Sequence, residues 1–448
     1  MRKFDLIIIG TGSGNAIIDS AYDNWDVAIV ERELFGGTCL NVGCIPSKMF
    51  VYTAELAETA THGWRYGINT NFVGADWKAI RARVFERIDP IAASGEQYRE
   101  DLANITVYKA DAQFVGHKQL QVGEEIITAE KIVLAAGARP FVPNIAGLAE
   151  TGFHTSDTIM RIDALPPRLT VIGGGYIAAE LGNVFGSLGS EVTFLLRSDL
   201  MLRTQDLDIS KSFTETYARK HNLQTGTAIK RIYRDGEEIV VSTNHGEQRS
   251  DELLVATGRV PNGDQLQVTE TNVATDHKSY VITDPQKRTN IEGIWALGDI
   301  TNPVQLKHVA NHEARVVSHN LLHPDDPIEV DHRYIPAAVF GLPQVARVGL
   351  TEQQCVEAQL PHRVAFNDYG VTAYGWAMED TASFVKLIVN TETRRLLGAH
   401  ILGPQASTLI QQLIQAMVFD LSVDDIARKQ YYIHPALPEV IEQALLKL

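Results

Sequence analysis

The chain has 448 residues, 45% hydrophobic and 21% charged, with a formal net charge of −15 at pH 7. That length exceeds what one core serves and predicts roughly two to four globular domains, while the apolar content excludes a disordered chain. The acidic excess argues against nucleic acid and membrane surfaces as partners, since both bind through clustered Lys and Arg. The opening MRKFDLIIIG holds only a short apolar run, Leu6 to Ile9, too brief for a signal-peptide core, and no run is long enough to span a membrane. Three cysteines are poor material for a secreted disulfide framework and predict a cytoplasmic protein.

Phe4 to Ile9 predicts a strand running into Gly10-Thr11-Gly12-Ser13-Gly14-Asn15, then a helix containing Ala16 to Ile18, then a second strand, Val27 to Val30, closed by Glu31. A helix starting at a glycine turn aims unpaired N–H groups at pyrophosphate, and a carboxylate in the position of Glu31 can accept from a ribose hydroxyl. Asn15 occupies the place of the usual third glycine and Gly14 stands one position early, so a tight turn without a ligand is the alternative.

Gly36-Gly37-Thr38-Cys39-Leu40-Asn41-Val42-Gly43-Cys44-Ile45-Pro46-Ser47-Lys48 opens a predicted helix that continues to Ala60 and places Cys39 and Cys44 at its mouth. The dipole of a helix start contributes ~0.3 to 1 kcal/mol, less than one pKa unit, so a reactive thiolate needs Lys48, an imidazolium or an electron-poor ring as well. Chance adjacency and metal binding are the alternatives. Cys355 lacks such a setting and reads as a small core residue.

Lys131 to Ala135 predicts a strand that leaves the first unit through Gly137-Ala138-Arg139-Pro140, with a boundary near residue 145. The first pattern then returns: strand Leu169 to Ile172, turn Gly173-Gly174-Gly175, helix Tyr176 to Leu188 with Ala178 at the small-residue position, and strand Val192 to Leu196. Here Arg197 replaces the acid and Arg203 follows. Guanidinium groups bind a 2′-phosphate that a carboxylate would repel, which favours NADP over NAD; two solvated surface arginines are the alternative. Two further strands, Leu253 to Ala256 and Ile294 to Leu297, deliver Thr257-Gly258-Arg259 and Gly298-Asp299 to a ligand. From about residue 333 mixed strands and helices follow (Ala337 to Phe340, Phe384 to Val389, Thr408 to Phe419, Pro438 to Leu446) without a third glycine fingerprint. The predicted class is α/β, with two Rossmann-like dinucleotide-binding domains and a C-terminal α+β domain.

The cysteine segment, with Ala135-Ala136-Gly137, Gly173 to Glu180, Ala256 to Arg259, Ala296 to Asp299, and His434-Pro435 with Glu439, resembles the pyridine nucleotide-disulfide oxidoreductases, the family of glutathione reductase and lipoamide dehydrogenase. The resemblance implies an FAD-binding domain made of residues 1–145 and 263–332, an NADPH-binding domain, 146–262, and a dimerisation domain, 333–448, in a homodimer. It implies that Gly10, Gly12, Gly14, Asn15, Glu31, Thr38, Lys48, Ala112, Ala136, Gly137 and Asp299 serve FAD. For NADPH it implies Gly173, Gly175, Tyr176, Ile177, Glu180, Arg197, Arg203, Gly258 and Arg259. Lys48 and Glu180 would pair beside the flavin, and Tyr176 would cover the nicotinamide pocket.

The implied reaction carries electrons from NADPH through FAD to the Cys39–Cys44 disulfide. Cys44 would face the flavin and Cys39 would attack the substrate disulfide. His434, steadied by Glu439 in the first turn of the last helix, would be the acid and base, acting across the dimer. Five segments, Met49 to Tyr52, Arg87 to Ile91, His308 to Arg315, Asp368 to Asp380 and Gln430 to Glu439, place the likeness nearest the branch that reduces mycothione, the disulfide of mycothiol. A glutathione or lipoamide enzyme, and a non-catalytic flavin-binding redox sensor, are the competing readings. His308 and His312 are either near the flavin or on a helix surface.

Overall fold

The computed structural model describes residues 1–448. Its first sheet places the parallel strands Ile105–Tyr108, Val27–Val30, Arg2–Ile9 and Glu125–Leu134 side by side. The run Leu6–Ile9 is apolar without alternation because both faces are covered: Ile7 and Ile9 enter one core, Leu6 and Ile8 another. Strand Ile294–Ala296 returns from far along the chain to pair in parallel with Glu125–Leu134. Ile9 and Ala296 both lie opposite Leu134, so the turns after all three strands emerge at one rim.

The second sheet is wholly parallel, in the order Asn222–Gln224, Glu191–Leu195, Arg168–Ile172 and Glu252–Val255. Its glycine turn is followed by helix Tyr176–Ser187. In both units the first glycine of the turn is irreplaceable. Gly10 (φ +100°) would set a Cβ 2.4 Å from the Ala135 carbonyl oxygen, and Gly173 (φ +129°) one 2.2 Å from that of Ala256. An antiparallel ribbon, Ala138–Pro140 with Arg259–Pro261, ties the exits of the two sheets together. The C-terminal sheet is antiparallel, five-stranded, and backed by helices Ala406–Val418 and Pro438–Leu446, which share its core. The architecture is thus α/β: a unit built on a mixed sheet, which adds the antiparallel strands Gln119–Val122 and Ala112–Gly116 beside Glu125–Leu134, a unit on a parallel sheet, and an α+β unit.

One expected element is missing. Between Ile9 and Val27 the chain forms two 3-10 turns, Gly14–Ala16 and Ser20–Tyr22, in place of a helix. Asp19 starts the second turn by accepting from the Ala21 N–H. The carbonyls a helix would have used internally are satisfied from outside by Arg99, buried near the end of helix Trp77–Glu100. Its Nε donates to Asn15 Oδ1 at 2.8 Å, and its Nη2 to the backbone oxygens of Asn15 and Ile18 at 2.9 and 3.1 Å.

Replacing this guanidinium by Arg99→Met leaves those oxygens unpaired away from water, and we expect a loss of about 2 to 4 kcal/mol. The check is the midpoint of the first denaturant transition of the cofactor-free protein. An unchanged midpoint would contradict the account.

Candidate active site

The cysteine segment folds as two helices where one was expected. Gly37–Asn41 ends after little more than a turn, and Cys44–His62 begins anew. Gly43 makes the join, since a Cβ there would lie 2.7 Å from the Thr38 carbonyl oxygen. Pro46, in the first turn of the second helix, gives up an N–H that has no helical acceptor in any case. Buried Asn41 fastens the join by donating to the carbonyls of Phe35 (2.8 Å) and Gly37 (3.1 Å). The break brings Cys39 against Cys44, the first residue of the longer helix.

Both thiols are free, Cys39 half-buried and Cys44 open to a cavity. The hydrogen bond with Cys44 pushes the Cys39 pKa up, and burial and repulsion from the Cys44 thiolate add to it. The same bond pulls Cys44 down to about 7; burial opposes this and the Lys48 ammonium assists it. The pair therefore carries one negative charge above about pH 7. Lys48 Nζ lies 2.5 Å from Glu180 Oε2 and 4.7 Å over the Phe340 ring, while Glu180 Oε1 accepts from the Phe340 N–H at 2.9 Å. Cysteine helix, second dinucleotide helix and C-terminal sheet meet at this carboxylate.

The cavity beside the thiols measures about 1180 Å³, more than a drug-sized ligand needs and suited to dinucleotides. Gly10, Gly12, Glu31, Thr38, Ala112, Ala136 and Gly137 line it with Lys48 and the thiols. Glu31 is held in place by the Thr11 N–H at 2.9 Å and hydroxyl at 2.6 Å. Asp299 reaches the cavity from the third strand of the rim. Burial raises its pKa, Arg259 acts against the rise, and its carboxylate accepts no hydrogen bond from the chain. A half-buried, unpartnered acceptor facing the cavity is a fit for the hydroxyl-rich chain of a flavin nucleotide. Tyr176, Ile177, Glu180 and Arg259 form the wall toward the second sheet.

Other expected contacts lie elsewhere. Gly14 is packed beneath Ala135 and Ile8, and Asn15 is committed to Arg99, so neither lines the large cavity. Gly173, Gly175, Gly258, Arg197 and Arg203 also stand outside it, around the second sheet; both arginines are exposed and unpaired. His434 and Glu439 form the expected pair, Nδ1 to Oε1 at 2.7 Å, and this bond holds the Glu439 carboxyl below the usual range. His434 is 71% exposed and not part of the wall that carries Cys39, so within one chain it does not meet the thiols. His308 lines the cavity with Nε2 at 2.9 Å from the Pro336 carbonyl oxygen, and His312 does not line it. Cys355 is fully buried.

Lys307, Glu313 and Arg99 escaped the sequence reading. Lys307 begins helix Lys307–Leu322 and its Nζ lies 3.0 Å from Ser13 Oγ at the cavity wall. Glu313 Oε2 accepts from the Gly298 N–H at 2.6 Å, and Oε1 meets Lys287 and His332, each at 3.0 Å. The stretch after Gly298-Asp299 was signal enough to look for the first two. For Arg99 there was none.

Comparison with known proteins agrees with this geometry. Residues 4–314 match the pyridine nucleotide-disulphide oxidoreductase family, and residues 335–445 its dimerisation domain. Mycothione reductase of Mycobacterium tuberculosis (strain ATCC 25618 / H37Rv) is 49% identical, with 100% of each chain covered. Mercuric reductase of Staphylococcus aureus is 34% identical over 94% of this chain and 78% of its own. Among solved structures, the Cu(II) complex of the HOCl-induced flavoprotein disulfide reductase RclA from Escherichia coli superposes with a TM-score of 0.89 at 28% identity, both chains covered in full. No helix is long and apolar enough to cross a membrane. With both parts of the family matched and its thiol pair at the cavity wall, the chain belongs to the pyridine nucleotide-disulphide oxidoreductases, enzymes that work with FAD and NADPH.

Proposed function

We propose that this enzyme is an NADPH-dependent flavoprotein that reduces mycothione to two molecules of mycothiol. The observation that carries the reaction is the pair of free thiols, Cys39 and Cys44, side by side at the cavity wall with Lys48. The full-length 49% identity to mycothione reductase supports the substrate. The same reading makes residues 1–145 and 263–332 the FAD-binding part, 146–262 the NADPH-binding part with Arg197 and Arg203 for the 2′-phosphate, and 333–448 the interface of a homodimer. It places the protein in the cytoplasm.

FAD and NADPH, when bound, supply the two electrons that open the Cys39–Cys44 disulfide. Of the two thiols, Cys44 is the one stabilised as thiolate, by Cys39 and Lys48. Cys39 then needs an outside base, because a second ionisation meets the repulsion of the first. The partner subunit's His434, its Nδ1 tied to Glu439, takes that proton. Cys39 Sγ attacks one sulfur of the substrate, the substrate S–S bond breaks, and the departing thiolate receives the proton back. Cys44 Sγ attacks Cys39 in the mixed disulfide, the second thiolate leaves, and the enzyme disulfide is restored.

Measured as NADPH consumption, turnover is expected with mycothione and not with glutathione disulfide or lipoamide; preference for either of those would remove the substrate assignment and keep the reaction. Cys39→Ser should abolish turnover and retain flavin.

His434→Gln should lower kcat by about 10² to 10⁴. Mixed dimers of Cys39→Ser and His434→Gln chains should regain one working site, and inactivity of those dimers would show that the histidine acts within its own chain.

In the reduced, cofactor-free protein, thiolate absorbance should grow as pH rises through about 7. Lys48→Met should move that step upward, because the ammonium that favours the thiolate is gone, and Cys44→Ser should move it to roughly the range of an ordinary thiol. A titration blind to Lys48 would disprove its part.

A further inference from the structure

We propose that Lys386, buried in the C-terminal sheet, is a positioning residue for recognition of the NADPH 2′-phosphate by Arg203. The inference rests on the reading of Arg197 and Arg203 given above. Arg203 itself is exposed and touches no partner, so what fixes it must be the backbone on either side.

On its N-terminal side stands Leu202, buried and in the left-handed region at φ +50°. A leucine holds that conformation only where its surroundings impose it. They do so here. The Leu202 N–H donates to the Gly174 carbonyl, in the second glycine turn, at 2.8 Å, and its own carbonyl accepts from Ser210 Oγ at 2.8 Å. The loop bearing Arg203 is thus bonded to the turn that would hold the pyrophosphate.

On the C-terminal side the chain is held from another unit. Lys386, 0% exposed, places Nζ 2.8 Å from Asp206 Oδ1, 2.6 Å from Asp208 Oδ2 and 2.6 Å from Glu352 Oε2. Asp206 Oδ2 also accepts from the Glu352 N–H at 3.0 Å, and Arg347 Nη1 donates to the Thr204 carbonyl at 3.4 Å. Capping helix Leu207–Lys220 requires only the Asp206 side chain on the Asp208 N–H, which is present at 3.1 Å. A buried lysine facing three carboxylates is more than a cap needs, and it is costly to assemble. What it adds is a fixed direction for residues 204–208, hence for the guanidinium just before them. Without Lys386, Asp206 and Glu352 repel each other, the loop loosens, and Arg203 must be ordered by the ligand at the expense of affinity.

Calorimetric binding of NADP⁺ and of NAD⁺ to the FAD-loaded protein tests this. Lys386→Met should weaken NADP⁺ about tenfold and leave NAD⁺ within about twofold, since only NADP⁺ carries the phosphate. Arg347→Leu, which removes the Thr204 tether alone, should shift the ratio the same way by less and serves if Lys386→Met does not fold. Equal weakening of both ligands, or of neither, overturns the proposal and leaves the cluster a structural seam. Arg203→Ala and Arg197→Ala separate the two readings. If neither changes the NADP⁺ to NAD⁺ ratio, the phosphate assignment fails; if they lower it and the Lys386 and Arg347 variants do not, only the positioning role fails.

Discussion

A thiol pair that holds one negative charge can perform only half of a disulfide exchange unaided, because the bond that stabilises the Cys44 thiolate is the one that raises Cys39. The rest of the site follows from that constraint. Charge must be kept on Cys44, which calls for a cation, and a proton must be taken from Cys39 and returned, which calls for a base of another kind. Lys48 lies one turn along the helix that Cys44 begins, so a single element fixes both. His434, the base proposed above, is absent from this surface and lies on a segment where Tyr431 and Ile433 are also exposed. A dimer is therefore a requirement of the proposed chemistry, beyond any contribution to stability.

Magnitudes separate the contributions to the thiolate. The dipole at a helix start supplies ~0.3 to 1 kcal/mol, under one pKa unit at ~1.36 kcal/mol. A fall to about 7 against burial thus depends first on the Cys39 hydrogen bond and then on Lys48. Glu180 works the other way, raising Cys44, while it anchors Lys48. The protein gives up part of the lysine's field in return for a defined position, since an unpaired lysine on a flexible stem would offer more charge at less certain distance.

How much of this was legible in the sequence depended on whether the signal was local. Strand Val27–Val30 and helix Pro438–Leu446 lie where the apolar runs and the proline at the helix start put them. The second unit, from Gly173 to Arg197, could be read almost residue by residue. The first could not, because Arg99, more than eighty positions away, satisfies carbonyls that a helix would otherwise have used, and nothing near Arg99 announces it. The break between Cys39 and Cys44 is an intermediate case: Gly43 and Pro46 were in view, but the collision with Thr38 that makes Gly43 necessary appears only in three dimensions. Motif spacing picked out the thiol pair, and long-range contacts decided how it is held.

Those long-range contacts have a common character. Lys48 with Glu180, Lys220 with Glu58, and Lys386 with its three carboxylates all sit where separate sheets or helices meet. Apolar seams tolerate sliding, whereas a partly buried ion pair favours one geometry over the others, so such pairs buy direction more than stability. Glu313 applies the same logic behind the cavity. Its oxygens are taken up by Gly298, Lys287 and His332, and the fully satisfied carboxylate holds in place the next one, Asp299, which has no partner. A half-buried carboxylate that faces the cavity without a donor has hydrogen-bonding capacity left for a ligand. Ligand hydroxyls would use that capacity, and a cofactor bound by the folded chain alone should make the fold more stable with it than without it.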